Sequence, residues 1–389
     1  MKININPKDI YKNKDELNYF KSLHKDEKKK ILKNEYNISI NNKNIPLRFK
    51  ILNLNISDNN KKNILKQLDY VNQIEPTSND YFKYINYFNT INSIPLNFNN
   101  KIQFNNINQY LLESEKILNN TIYGQLNIKK NLMEFIAKYT TNNNNKGCVL
   151  GIQGPPGIGK TTLITQGLSK IFNRPVHTIN LSGLSDQSIL NGHSFTYEGS
   201  KPGKIVDILI KSQCMNPIIY FDELDKVSGK DIENLLINIT DFTQNHLFQD
   251  NYISDLNIDL SKIIFIFTYN NNNNISPILL DRFTQFYLDG YNINDKLNIL
   301  QKFIIPNLLS EFLLDKDLFF NKNTIEYIIN QYDNNNGIRY CKSIFHKIIS
   351  SIHYAKITND PKYINLNNFR FPLTINIHII KKIILNINK

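Results

Sequence analysis

Short apolar runs and helical spacings alternate through the middle of this chain. Residues 148–152, 176–180, 217–221, 263–267 and 285–288 are brief, apolar or β-branched, and the stretches between them repeat apolar positions at helical spacing. Strands buried on both faces read as continuous apolar runs, so the pattern predicts an α/β fold, a parallel sheet with helices on both faces. After Gly290 the strand pattern stops, and residues 295–309, 324–332 and 338–357 read as three helices. Upstream, residues 58–118 are helical in pattern. Ile64, Leu65, Leu68 and Val71 share one face, Tyr81, Tyr84, Ile85 and Phe88 another, with Pro76 and Pro95 as breaks. Before them lies a polar stretch, Lys-rich and helical at 21–33 and extended afterwards, which reads as a solvated arm. The last residues end in an amphipathic segment at 379–384. The expected order is a polar arm (1–57), a helical neck (58–120), an α/β domain (121–290), a small helical lid (291–358) and a tail (359–389).

Composition narrows the classes. Lys plus Arg (46) exceed Asp plus Glu (34), giving a formal charge of +12, which admits an anionic partner such as nucleic acid. The basic residues are scattered and mostly lysine in a chain rich in Asn and Ile, so codon bias explains the charge better than a binding patch. Cys148, Cys214 and Cys341 are too few and too far apart for a disulfide framework and imply a reducing compartment. The N-terminus lacks a signal-peptide core, and no apolar run is long enough to span a bilayer. A soluble, intracellular, cytoplasmic protein is expected. The asparagine runs at 142–145 and 271–274 read as loop expansions.

The chemistry begins at Gly154-Pro155-Pro156-Gly157-Ile158-Gly159-Lys160-Thr161, which follows a strand pattern and precedes a helical one. That context marks a phosphate-binding loop rather than a chance glycine turn. Residues from Gly154 through Thr162 are therefore assigned to nucleotide, with backbone N–H groups and a helix N-terminus facing phosphate. Lys160 should reach the β- and γ-phosphates and Thr161 should ligate Mg²⁺. The strand at 217–221 runs into Asp222-Glu223. Asp222 would hold Mg²⁺ through its water shell, and Glu223 would polarise the attacking water as general base. The strand at 263–267 leads to Asn270, suited to orienting water or γ-phosphate. Arg282, after Asp281, suits an arginine finger offered to a neighbouring subunit.

Together these residues resemble the AAA+ family, and within it the ATPase module of Lon proteases. Four segments carry the resemblance. The first is Gly183-Leu184-Ser185-Asp186 with Gly192-His193-Ser194-Phe195-Thr196-Tyr197-Glu198-Gly199-Ser200-Lys201-Pro202-Gly203-Lys204-Ile205; the second is Leu279-Leu280-Asp281-Arg282. The third joins Gly290-Tyr291, Asp295-Lys296-Leu297 and Ile305-Pro306; the fourth is Gly337-Ile338-Arg339. Weaker similarity reaches back through Ile122-Tyr123-Gly124-Gln125 into the helices from Asp58, about three quarters of the chain in all.

The resemblance implies several roles. Tyr123 and Gly124 would lie at the adenine, Arg339 would report on nucleotide from the lid, and Tyr197 would grip a polypeptide threaded through a homohexameric ring. A buried core tyrosine fits poorly beside Gly192, Gly199 and Gly203, and His193, with no second ligand nearby, reads as structural. Glu198 departs from the family's usual aliphatic residue. Lon continues into a Ser-Lys peptidase domain where this chain stops, so no peptidase activity is expected, and the large N-terminal domain of Lon is missing or reduced to the first 57 residues. The implied function is Mg-ATP hydrolysis driving polypeptide unfolding or remodelling, with a separate peptidase a candidate partner in trans. Two other readings stay open: a nucleic-acid motor or loader of AAA+ type, and a nucleotide-assembled scaffold for a separate peptidase.

Overall fold

The computed structural model describes residues 14–40, 45–96, 98–102, 104, 106–141, 146–332, 337–358 and 371–387. The asparagine run at 142–145, the parts of the expected arm at 1–13 and 41–44, and the tail at 359–370 and 388–389 lie outside the described residues. The chain divides into two compact units, Met1–Asn92 and Ser93–Lys389. The division falls inside the stretch 58–120 expected to form one neck.

In the second unit a five-stranded sheet is built from β1 (Cys148–Gln153), β2 (Val176–Asn180), β3 (Ile218–Asp222), β6 (Ile264–Tyr269) and β7 (Thr284–Tyr287), in the spatial order β2-β3-β6-β1-β7. Every pairing is parallel. The short antiparallel pair β4 (Phe248–Gln249) and β5 (Asn257–Ile258) lies between β3 and β6 in sequence. Because side chains alternate across a strand, Tyr220 and Phe221 serve opposite faces. Tyr220, Ile218, Ile264, Ile266, Leu150 and Ile152 belong to one core with Leu118, Leu132, Ile136, Leu163 and Leu168 from the flanking helices. Phe221, Phe267 and Phe283 stack in a row, centroids 4.8 and 4.9 Å apart. Both faces are covered, as the continuous apolar runs require.

The C-terminal helices pack around a separate core that includes Leu300, Leu308, Leu318, Ile328, Phe345, Ile349, Ile352 and Ile380. Two expectations need correction here. Strands do not end at Gly290: β8 (Leu318–Phe320) pairs in parallel with β9 (Leu373–Ile375). Runs this short carry no periodicity, and their pairing is decided by the packing of distant segments. The helix expected at 295–309 is an α-helix at Ile293–Ile299, a π-turn at Leu300–Ile304 and an α-helix at Ile305–Glu311. Pro306 has no N–H for the ladder, and the wider turn sits just before it.

The first unit is helical, with Lys14–Ser22, Lys25–Ile40, Leu47–Leu52, Asp58–Val71 and Asn79–Ser93. The extended pieces expected after the Lys-rich stretch are helices instead. Ile51 is fully buried and Arg48 pairs with Asp69 at 2.6 Å, so packing against Asp58–Val71 supplies what local propensity does not. Ser57 caps Asp58–Val71 by accepting from Asn60 N, and Ile64, Leu68 and Val71 are its buried stripe. Among the described residues no helix is long and apolar enough to cross a membrane.

Candidate functional site

The C-terminal ends of β1, β3 and β6 meet the start of two helices around one cleft. Its walls carry Pro156, Gly157, Gly159, Lys160, Thr161 and Thr162 from the glycine loop, and Asp222, Glu223 and Asp225 from the end of β3. Thr268, Tyr269 and Asn270 come from β6, and Ile338 and Arg339 from the start of the helix Arg339–Thr358. The cleft holds about 270 Å³. Adjacency of β1 and β3 to β6 makes this convergence, since ligand crevices form beyond the carboxyl ends of parallel strands.

Lys160 Nζ donates to Asn270 Oδ1 at 2.6 Å, to Pro155 O at 3.3 Å and to the carbonyl of Gly154. Burial holds its ammonium below the ordinary value, while the carboxylates of Asp222, Asp225 and Glu223 work against that shift. Asp222 Oδ1 accepts from Thr268 Oγ1 at 2.5 Å, Thr268 Oγ1 lies 3.2 Å from the Tyr220 hydroxyl, and that hydroxyl lies 3.3 Å from Thr161 Oγ1. One chain of hydroxyls thus joins Thr161 to Asp222. Burial pushes the Tyr220 hydroxyl up to about 12, so it stays protonated.

Consecutive strand residues face opposite ways, yet Asp222 and Glu223 both line the cleft. Glu223 makes this possible by leaving the strand at φ 59°, in the left-handed region, with its N–H donating to Asp222 Oδ1 at 3.1 Å. Such a conformation in a non-glycine residue is costly and often marks functional sites. The asparagine run after Asn270 closes on itself, Asn273 N donating to Asn271 Oδ1 at 2.9 Å, and leaves Asn270 at the cleft.

The Gly337-Ile338-Arg339 segment is seated on the glycine loop. Ile338 N donates to Gly157 O at 3.0 Å, and a Cβ on Gly337 would stand 2.1 Å from Pro156 O, so only glycine admits the approach. Ile158 is buried beneath the loop, and its carbonyl accepts from the Tyr291 hydroxyl at 2.9 Å.

Of the glycine-loop residues assigned to nucleotide, Gly154, Pro155 and Ile158 do not line the cleft, and four further expected residues lie elsewhere. Tyr123 and Gly124 are not on the cleft wall: Tyr123 faces Phe303, ring centroids 6.5 Å apart, and Gly124 is beside Asp295. Their neighbour Ile122 comes close to Gly159. Arg282 is bound by Ile237 O at 3.0 Å and Asp241 at 3.1 Å, and does not line the cleft. Tyr197 is 69% exposed on the loop between Gly192 and Gly203.

Sequence reasoning missed Tyr220, Thr268, Asp225 and Asp241. Thr268 sits two positions before Asn270, but only the pairing of β3 with β6, with Phe221 opposite Phe267, brings it to Asp222. Asp225 is buried, and its Oδ1 has no hydrogen-bond partner.

A divalent cation would find Thr161, Asp222 and Asp225 at this cleft. Few protein ligands, all oxygen, suit Mg²⁺ bound with a nucleotide's phosphates and water, so the residues present fit it. Among the described residues no group of three His, Cys, Asp or Glu side chains forms a self-sufficient metal cage.

Residues 150–291 match the ATPase family associated with various cellular activities (AAA). The chain carries an AAA ATPase module. It is 34% identical over 346 residues to a Lon protease homolog of Acanthamoeba polyphaga mimivirus, covering 84% of this chain and 33% of that protein. It is 30% identical to the Lon protease of Finegoldia magna (82% and 41%) and 33% identical to Lon protease 1 of Borreliella burgdorferi (76% and 36%). The chain thus spans about a third to two fifths of the relatives it matches. In this module the cleft just described lies within and beside the matched residues, with Arg339 reaching it from outside them.

Proposed function

We propose that the module hydrolyses Mg-ATP and uses the energy to unfold or remodel polypeptides from a homohexameric ring. The observation that carries the ATPase half is the convergence of Lys160, Asp222, Glu223 and Asn270 on one cleft over the glycine loop. The exposed Tyr197 on a glycine-flanked loop supports the polypeptide half.

In this reading Lys160 and the N–H groups of the loop from Gly154 to Thr162 bind the phosphates. Thr161 and Asp222 would hold Mg²⁺, which would supply charge neutralisation at the phosphates. Tyr220 and Thr268 keep Thr161 and Asp222 in register through their hydroxyls. Glu223 takes the proton from the attacking water and Asn270 orients that water. Arg282 acts on a neighbour's nucleotide across a head-to-tail contact, the kind that closes into rings. Arg339 senses the phosphates from the helical lid, and the Tyr123-Gly124 segment borders the adenine through Ile122. The arm, neck, α/β domain, lid and tail are kept as functional divisions, with the neck's second half belonging to the motor. This chain is asked for the motor step, with a separate peptidase as a candidate partner. Its three thiols, all free, suit a cytoplasmic setting.

The test is capture of the client. Glu223→Gln incubated with ATP and recovered from solution should bind nucleotide, hydrolyse it at least ~100-fold more slowly and retain polypeptide. Wild-type turnover by this variant would refute the assigned base. Retention of DNA or RNA without polypeptide would favour the nucleic-acid motor that the charge of +12 also suits.

A further inference from the structure

The loop that carries Tyr197 is free at its tip and fastened at its roots. At the tip, Gly199 adopts φ 72° with open space around it, and Tyr197 and Glu198 are exposed. At the roots the crowding is extreme. Gly192 has φ 82°, and a Cβ there would stand 2.4 Å from Asp250 Oδ1; a Cβ on Gly203 would stand 2.1 Å from Leu190 O. The loop also closes on itself where His193 N donates to Lys201 O at 3.3 Å.

One carboxylate organises both roots. Asp250 is fully buried, lying between β4 and β5. Its Oδ1 accepts from Tyr252 N at 2.9 Å, capping the turn Asn251–Ile253, and its Oδ2 accepts from Gly203 N at 2.8 Å. Asn251 Nδ2 donates to Gly192 O at 3.0 Å. The ring of Phe195, inside the loop, meets that of Tyr252 edge-on at 5.8 Å. Three contacts therefore connect a single short turn to the entry, the body and the exit of the loop.

The geometry points to Asp250 and Asn251 as a clamp that fixes both roots of the Tyr197 loop, making them positioning residues that pass force from the gripping side chain to the sheet. A loop with glycines at both ends would otherwise swing at Gly192 and Gly203, and motion of the sheet would dissipate there. Residues 241–260 run from the partner of Arg282, Asp241, to a backbone bond between Leu260 N and Asn245 O, and so link the clamp to the body of the module. The force-passing role rests on the proposed gripping role of Tyr197; the fastening itself does not.

The experiment compares wild type, Asp250→Asn, Asn251→Ala and Tyr197→Ala in the full chain. It reads amide hydrogen exchange at 192–203, basal ATPase, and unfolding of a tagged fluorescent protein per ATP. Asp250→Asn presents an amide N–H₂ where one oxygen accepted, so exchange at Gly203 should rise at least ~10-fold. Its basal ATPase should stay within about twofold, and unfolding per ATP should fall several-fold with the KM for the tagged protein raised. Asn251→Ala should move each reading in the same direction by less, and it carries the test if Asp250→Asn does not fold. Tyr197→Ala should lose unfolding with exchange at Gly203 unchanged. Unchanged exchange in both clamp variants overturns the clamp. So does faster exchange with full unfolding while Tyr197→Ala is inactive, because the roots would then carry no force. If Tyr197→Ala unfolds like wild type, the gripping role fails instead, and the clamp is decided by exchange alone.

Discussion

Lys160 Nζ and Asn270 Oδ1 lie 2.6 Å apart although 110 residues separate them in sequence. The contact ties the end of β6 to the glycine loop on β1, and β1 and β6 pair along their full lengths, Gln153 opposite Tyr269. The residue assigned to phosphate and the one assigned to water in the proposed function are thus held by the same pair of strands.

The two should separate in kinetics. Lys160→Ala removes the charge assigned to phosphate in the proposed function and should abolish nucleotide binding in a fluorescent-nucleotide titration. Asn270→Ala leaves that charge in place, so binding should survive while kcat falls about 10- to 100-fold, the scale of lost water orientation. Equal losses of binding in both would show that Asn270 serves the lysine alone.

Arg282 and Asp241 form the second pair. Asp241 is held down at about 2, first by hydrogen bonds from Thr243 and then by Arg282, and stays ionised at neutral pH. Arg282→Ala should bind ATP normally and lose hydrolysis at least ~100-fold, as when an arginine finger is removed. Mixing it with Lys160→Ala subunits, whose Arg282 is intact, should restore part of the activity. Undiminished hydrolysis by a diluted monomer would contradict action in trans.

Tyr197 makes a third case. An aromatic ring packs against any side chain or the peptide backbone, so its loss should uncouple motion from hydrolysis. Tyr197→Ala should keep basal ATPase and fail to unfold a tagged protein. Glu198→Val should tighten the grip on apolar segments by about 1 kcal/mol, one aliphatic contact, seen as a lower KM for apolar clients. ATPase stimulated by DNA or RNA, lost in Tyr197→Ala, together with no unfolding by wild type, would transfer the loop to the nucleic-acid reading.

Asp250 gives a pH dependence with a definite sign. Burial raises its carboxyl from 3.8 to about 6, against the backbone N–H groups of Gly203, Tyr252 and Ile253 that lower it. The titratable side chain beside it, Tyr252, is itself raised by burial and then by the Asp250 charge. The unfolded chain releases this proton first, so the folded state holds more protons between those values and loses stability as pH rises through them. The loss, roughly 3 kcal/mol, is complete above about 6 and absent below about 4. Asp250→Asn does not titrate. The melting temperature of wild type minus that of Asp250→Asn should therefore fall between pH 4 and pH 7, and a flat or rising difference would exclude this linkage.

The sequence by itself determined the sheet and most of the residues that line its cleft. The glycine loop, the Asp-Glu pair after an apolar strand and the five short runs are local patterns, readable because phosphate binding needs glycine in a fixed spacing and a doubly covered strand needs unbroken apolar residues. Strand positions shifted by no more than a residue or two, β3 being Ile218–Asp222 where 217–221 was expected. What depends on segments distant in sequence was decided by tertiary structure alone. The hydroxyl chain through Tyr220 and Thr268 exists because β3 and β6 are neighbours. The β8–β9 pair forms because a common core draws Leu318 and Ile375 together. Asp250 reads as an ordinary loop aspartate until the fold buries it against Gly192 and Gly203. Local pattern encodes the conformations a segment can adopt; which polar groups meet is fixed only when packing removes water and forces each buried donor to find an acceptor.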